Sequence, residues 1–192
     1  MTVTLSRYLD RLRDAAGSTA ATGPAAAAMA VDDAIAWAIA TARAAHAAGN
    51  KIIFIGNGGS AGIASHMATD FSKNGGLRAI AMNDAAMLTC LGNDYGYEHV
   101  FAKQIEMQAR AGDLLVAISS SGRSPNILAA AAAARAAGCR VLTLTGFDPA
   151  NPLRAMGDVN LHVPSHHYNF VETSHMALLA AIVDMATGWG TA

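Results

Sequence analysis

Apolar positions along this chain alternate between two rhythms. Residues 51–55, 113–118, 140–145 and 159–163 are short runs in which most positions are apolar or β-branched, the pattern of strands buried on both faces. Residues 78–82 read as a further strand of the same kind. The stretches between them are longer and rich in alanine, and they read as helices over 61–71, 98–110, 126–137 and 169–187. Asn83-Asp84 caps a short helix that ends near Leu91, and Gly92-Asn-Asp-Tyr-Gly-Tyr97 reads as a dense turn. Strands that alternate with helices predict an α/β three-layer sandwich with a five-stranded parallel sheet.

The first fifty residues follow a different pattern. Leu5, Tyr8, Leu9 and Leu12 recur at helical spacing, 16–24 reads as a loop, and the alanines after Pro24 lead into a second helix that runs to about Ala48. Gly49-Asn50 stops it. The expectation is one domain over 1–192, with 1–50 as a helical oligomerisation segment and 51–192 as the α/β core. At 192 residues the chain can bury a full core without staples.

Composition narrows the function. The apolar share is 53% and the charged share 14%, and much of the apolar excess is alanine, which suits helix faces packed against other subunits. A net charge of −1 and the absence of a basic run argue against a nucleic-acid partner. No apolar run has the length of a membrane span. Charges near the N-terminus and two cysteines, Cys90 and Cys139, with no metal-type spacing lead to the expectation of a cytoplasmic protein.

Chemistry concentrates where two strands break. Residues 51–55 run into Gly56-Asn-Gly-Gly-Ser60 at a helix start, and 113–118 run into Ser119-Ser-Ser-Gly-Arg-Ser124 just before Pro125. A strand, a polar turn and a helix N-terminus together present N–H and hydroxyl donors to an anion. Two such loops after two strands of one sheet point to a phosphorylated small molecule, bound beyond the carboxyl ends of the strands. Gly56, Gly58 and Ala61 also match a loose dinucleotide pattern, but that reading leaves the serine loop without a role, so no nucleotide cofactor is expected.

Gly56-Asn-Gly-Gly-Ser60, Gly92-Asn-Asp-Tyr-Gly96, Ser119-Ser-Ser-Gly-Arg-Ser124 and Leu144-Thr-Gly146 resemble the sugar isomerase (SIS) domain family, and within it the bacterial phosphoheptose isomerases. The resemblance covers nearly the whole chain. It implies a flavodoxin-like fold, a homotetramer with active sites between subunits, and isomerisation of sedoheptulose 7-phosphate through an enediol. It further implies that Ser60, Ser119, Ser121 and Ser124 hold the phosphate, while Asn57, Gly58, Asn93, Asp94 and Ser120 line the sugar.

Four family positions on two helices, which in some members bind zinc, are His66, Asp70, Glu172 and Ala180 here. The family has glutamate at the second, glutamine at the third and histidine at the fourth. Asp70 can serve as a base but is one methylene shorter than glutamate, and a misplacement of about 1 Å can cost about a hundredfold in rate. Ala180 offers no proton, and losing an acid typically costs roughly 10²–10⁴-fold. The remaining candidates for the acid are His175, His166 and His167, with His175 foremost because it lies three residues from Glu172. Its alternative is a hydrogen-bonded core histidine. His66 and Asp70 share a helix face and with Glu172 describe a three-ligand zinc site; without metal the two carboxylates are polar site residues. The alternative to an isomerase is a non-catalytic SIS module that binds a phosphosugar or a protein partner.

Overall fold

The protein, a computed structural model, is described over residues 4–188. Its elements run α1 (Leu5–Gly17), β1 (Ala20–Thr22), β2 (Ala28–Met29), α2 (Val31–Ala47), β3 (Ile52–Gly56), α3 (Gly59–Lys73) and β4 (Ala79–Ala81). They continue with α4 (Ala85–Tyr95), α5 (Val100–Gln108), β5 (Leu114–Ser119), α6 (Pro125–Ala136), β6 (Arg140–Gly146), β7 (Val159–Val163) and α7 (Tyr168–Ala186). Among the described residues the sheet has seven strands in the order β2-β1-β7-β6-β5-β3-β4. The five expected strands are there and run parallel, from β7 to β4.

The expected count of five is corrected by β1 and β2, an antiparallel pair laid along the outer edge of β7. They are three and two residues of alanine, threonine and methionine, too short and too rich in alanine to read as strands. What makes them strands is the edge of β7, whose N–H and C=O groups β1 satisfies, with β2 pairing in turn with β1. The helix expected directly after Pro24 is corrected as well. Ala25 and Ala26 take positive φ in a 3-10 turn, and α2 begins only at Val31, with Asp32 and Asp33 in its first turn. The first fifty residues are therefore part of the sheet and not only a helical appendage.

The continuous apolar runs are explained by burial on both faces. Ile52, Phe54, Leu114, Val116, Leu142 and Leu144 pack on one side with Ile35 of α2, Met67 and Phe71 of α3, and Leu179 and Ile182 of α7. Ile53, Ile55, Leu115, Ala117 and Val141 pack on the other side with Val100 and Ile105 of α5 and Ile127 and Ala130 of α6. Neighbouring residues on a strand face opposite layers, so both must be apolar.

One part of this core is polar. Thr143, Thr145, Asn160 and His162 are all buried on adjacent strands β6 and β7. Asn160 Nδ2 donates to Thr143 Oγ1 at 3.0 Å, and His162 Nδ1 lies 3.0 Å from Thr145 Oγ1. From α7, His175 reaches the same strand, its Nε2 lying 3.0 Å from the Thr145 carbonyl oxygen. Burial pushes both imidazoles down to about 4, so both are neutral at pH 7.

A free histidine in the unfolded chain titrates near 6.5, so between about pH 6.5 and 4 the unfolded state binds more protons than the fold. The stabilisation is complete above pH 6.5 and is lost as pH falls. Urea unfolding should show stability declining by about 2 kcal/mol per histidine between pH 7 and pH 5. His162→Gln should remove part of that slope, and a stability independent of pH over this interval would contradict the assignment.

Candidate active site

The pairing of β3 with β5 places Gly56 beside Ile118, so the two glycine–serine loops leave the sheet as neighbours. Each loop ends at a helix N-terminus. In the first, the Asn57 carbonyl accepts from the Ser60 N–H at 3.0 Å, and Gly58, with φ of 55°, stands as the N-cap of α3. Gly58 has no side chain to cap with, which leaves the first turn of α3 to other partners. In the second, Ser124 is the N-cap of α6 with no side-chain capping bond, and Pro125 follows in the first turn.

Between the loops lies a cavity of about 150 Å³, lined by Asn57, Ser60, Ile118, Ser119, Ser120, Ser121, Ser124, Tyr168 and Glu172. Five of these residues are serines. Ser119 Oγ accepts from the Gly122 N–H at 3.2 Å and lies 3.4 Å from Ser124 Oγ. Ser121 Oγ accepts from the Arg123 N–H at 3.2 Å. Ser120 Oγ is buried with no partner among the described residues, as is expected of a group that a ligand satisfies.

Of the residues singled out in the sequence, Asn57, Ser60, Ser119, Ser120, Ser121, Ser124 and Glu172 thus meet in one cavity, with Gly58 in the loop beside it. Asn93 and Asp94 do not join them. The expected turn is the last part of α4, where Asn93 Nδ2 donates to Asp94 Oδ1 at 2.9 Å and both side chains are exposed. Asp84 caps α4 by accepting from the Met87 N–H, and Gly96, with φ of 83°, ends it only after Tyr95.

Three further expectations are revised. Arg123, the one positive charge of the second loop, turns to Asp148 at 2.7 Å, and the Ala150 N–H together with this guanidinium holds the Asp148 carboxyl below its usual range. The donors left to the cavity are neutral. His175, the foremost candidate for an acid, is fully buried, bonded to Thr145 and outside the cavity wall. It is a core histidine, and His166 and His167 lie on the wall of a neighbouring cleft against α1. Finally, His66 Nε2 and Asp70 Oδ2 are 3.3 Å apart, and Asp70 also accepts from Asn74. Glu172 does not join that pair: among the described residues no three His, Cys, Asp or Glu side chains come together as a metal site. The residues of one chain do not fit a zinc ion.

Glu172 is the carboxylate of the cavity, and its place is made by a glycine. A Cβ at Gly59 would stand 2.4 Å from Glu172 Oε2, so only glycine lets the carboxylate rest against the start of α3, where the helix dipole favours it. Sequence reasoning missed Tyr168, which lines the cavity from the start of α7, and Asn126 and Tyr97, which both bond to Asn57. Asn126 carried one signal, its position directly after the proline of a helix start.

These features define a class: a parallel α/β domain whose two serine-bearing loops converge at the carboxyl ends of neighbouring strands. The model of the SIS domain family matches residues 25–146, and the chain belongs to that family. A phosphoheptose isomerase from Citrifermentans bemidjiense is 38% identical over 147 residues, which cover 73% of this chain and 76% of that protein. One from Klebsiella pneumoniae is 38% identical over 152 residues, covering 73% and 78%. The structure of a phosphoheptose isomerase from Neisseria gonorrhoeae superposes with a TM-score of 0.81 at 33% identity, covering 95% of this chain and 99% of that one.

Two glycines separate shape from strain. At Gly122, with φ of 61°, a Cβ would lie 1.9 Å from Asn151 Oδ1, so Gly122→Ala should cost about 1–3 kcal/mol of stability. Gly59→Ala meets only the movable end of Glu172 and replaces a helical glycine, so it should leave stability unchanged or raise it by up to about 1 kcal/mol. Urea denaturation of both variants checks this, and a Gly59→Ala variant as unstable as Gly122→Ala would contradict it.

Proposed function

We propose that this chain is an aldose–ketose isomerase of the phosphoheptose type, converting sedoheptulose 7-phosphate to a heptose 7-phosphate through an enediol. One observation carries the reading: five serines and one carboxylate converge on a single cavity between two helix N-termini. Serine hydroxyls and helix N-terminal N–H groups suit a phosphate. A carboxylate in the same cavity suits the movement of a proton between adjacent carbons. The relatives named phosphoheptose isomerase support the substrate.

In this scheme Ser119, Ser121 and Ser124 take the phosphate, Ser60 closes its other side, and Asn57 and Ser120 face the sugar. Glu172 takes the proton from the carbon beside the carbonyl and returns it to the former carbonyl carbon, while the proton of the adjacent hydroxyl passes to the former carbonyl oxygen. Asp70, which holds the position of the family's glutamate, lies outside the cavity of its own chain and is occupied with His66 and Asn74. No step is assigned to a metal.

We also propose a homotetramer, working in the cytoplasm. The support is α1, which among the described residues buries no side chain and leaves Leu5 72% exposed and Leu9 51% exposed. Tyr8 of this helix rests on Phe170 of α7, but the exposed leucines of its apolar stripe call for a covering surface.

A second reading, a phosphosugar-binding module without turnover, draws on Ala180 and on His175, neither of which offers a proton to the cavity. Kinetics with sedoheptulose 7-phosphate separate the two. Glu172→Gln should cut turnover by roughly 10²–10⁴-fold while binding persists, and Asp70→Asn should change it by less than about tenfold. The opposite ranking would move the base to Asp70. Binding without turnover in the unaltered protein would establish the second reading. In sedimentation, Leu5→Glu with Leu9→Glu should dissociate the assembly, and a monomeric unaltered protein at micromolar concentration would contradict the tetramer.

A further inference from the structure

Asn57 is held by more of the protein than a loop residue needs. Its Nδ2 donates to Asn126 Oδ1 at 2.9 Å, and Asn126 Nδ2 donates back to Asn57 Oδ1 at 2.9 Å, a closed amide pair. Tyr97 Oη donates to the same Asn57 Oδ1 at 3.1 Å. The three residues come from separate segments: the loop after β3, the 3-10 turn before α5, and the first turn of α6. Asn126 is 2% exposed and has no other side-chain role in the site.

An asparagine side chain carries two lone pairs and two N–H groups. In Asn57 both lone pairs and one N–H are engaged inside the chain, and the residue lines the cavity. What remains for a ligand is one N–H. A free asparagine can turn its amide over and present its carbonyl instead; here that turn requires Asn126 to turn over with it and Tyr97 to give up its donor bond.

We propose that Asn126 and Tyr97 are positioning residues that fix Asn57 as a hydrogen-bond donor, so that the ligand atom opposite it is a lone-pair oxygen of the sugar. The inference rests on the phosphosugar reading above and sharpens it: the oxygen that suits a pre-aimed N–H is the carbonyl oxygen of the open-chain sugar. That oxygen gathers negative charge as the enediol forms, and a donor already in place stabilises it without reorganising. The lock also joins the first loop to the start of α6, so the donor is held at a set position relative to the serines of the second loop.

A merely structural role for Asn126, holding α6 to the first loop, makes a different prediction, because it does not act through the Asn57 amide. The test is a pair of double-mutant cycles with sedoheptulose 7-phosphate: Tyr97→Phe and Asn126→Ala, each made alone and in an Asn57→Ala background. Tyr97 is 60% exposed, so Tyr97→Phe removes one donor from a protein that still folds. Tyr97→Phe should lower kcat roughly threefold to tenfold, Asn126→Ala more, with KM moving less in both. In the Asn57→Ala background both should be silent. Effects that persist there would overturn the proposal.

A second readout needs no turnover. In ¹⁵N NMR of the ligand-free protein, the Asn57 side-chain proton bonded to Asn126 should exchange slowly and become fast in Asn126→Ala. Fast exchange of that proton in the unaltered protein, or no change in Asn126→Ala, overturns the lock whatever the enzyme does. An intact lock in a protein that ignores sedoheptulose 7-phosphate would remove the substrate reading alone.

Discussion

The pairing of β3 with β5 is the constraint on which the site depends. Its register, Ile52 with Leu114 through Gly56 with Ile118, is clamped at the opposite end of the strands by Asp113. That carboxylate is fully buried and accepts from the Lys51 N–H at 2.9 Å, from Lys51 Nζ at 2.7 Å and from the Arg110 N–H at 2.9 Å. Lys51 and Asp113 sit just before their strands, so the clamp fixes where the two strands begin and hence where both loops start. A buried carboxylate with three donors is satisfied; one that lost its lysine would be strongly destabilising. A register slip of one residue would exchange the faces of every side chain on the strand and take the loops apart.

From that register the character of the cavity follows. Both loops open onto helix N-termini, and the side chains that reach the gap are hydroxyls and amides, because Arg123 is drawn off to Asp148. A phosphate would therefore be held by neutral donors and helix ends rather than by a cation. This allows Glu172 to stand in the same cavity without a salt-bridge partner of its own competing for it. The charge belongs to the reacting end of the ligand, and the neutral donors belong to its anchor.

Much of this was legible in the sequence, because buried parallel strands are written as unbroken apolar runs and their phosphate loops as glycine and serine. All five parallel strands begin and end within one residue of the positions that the pattern gives. What was not legible depends on tertiary pairing. β1 and β2 are strands because β7 has an open edge, and nothing in Ala20–Thr22 or Ala28–Met29 says so. Helix α4 absorbs Gly92, Asn93 and Asp94, residues whose local preferences favour a turn, because its Asp84 cap and its packing outweigh them. At the site, the serines were legible one by one, whereas the role of Asn126 exists only through its contact with Asn57, 69 residues away in the chain. His175 shows the reverse error: its spacing from Glu172 suggested a shared face, but α7 turns it into the core.

The most direct test of the account is a crystal structure of the protein with sedoheptulose 7-phosphate bound. The phosphate is expected between the N-termini of α3 and α6, with its oxygens about 3 Å from the hydroxyls of Ser119, Ser121 and Ser124. The Glu172 carboxylate should face the first carbons of the sugar, and Asn57 Nδ2 its carbonyl oxygen. A phosphate seated elsewhere, with these serines still turned to one another, would contradict the account at its centre.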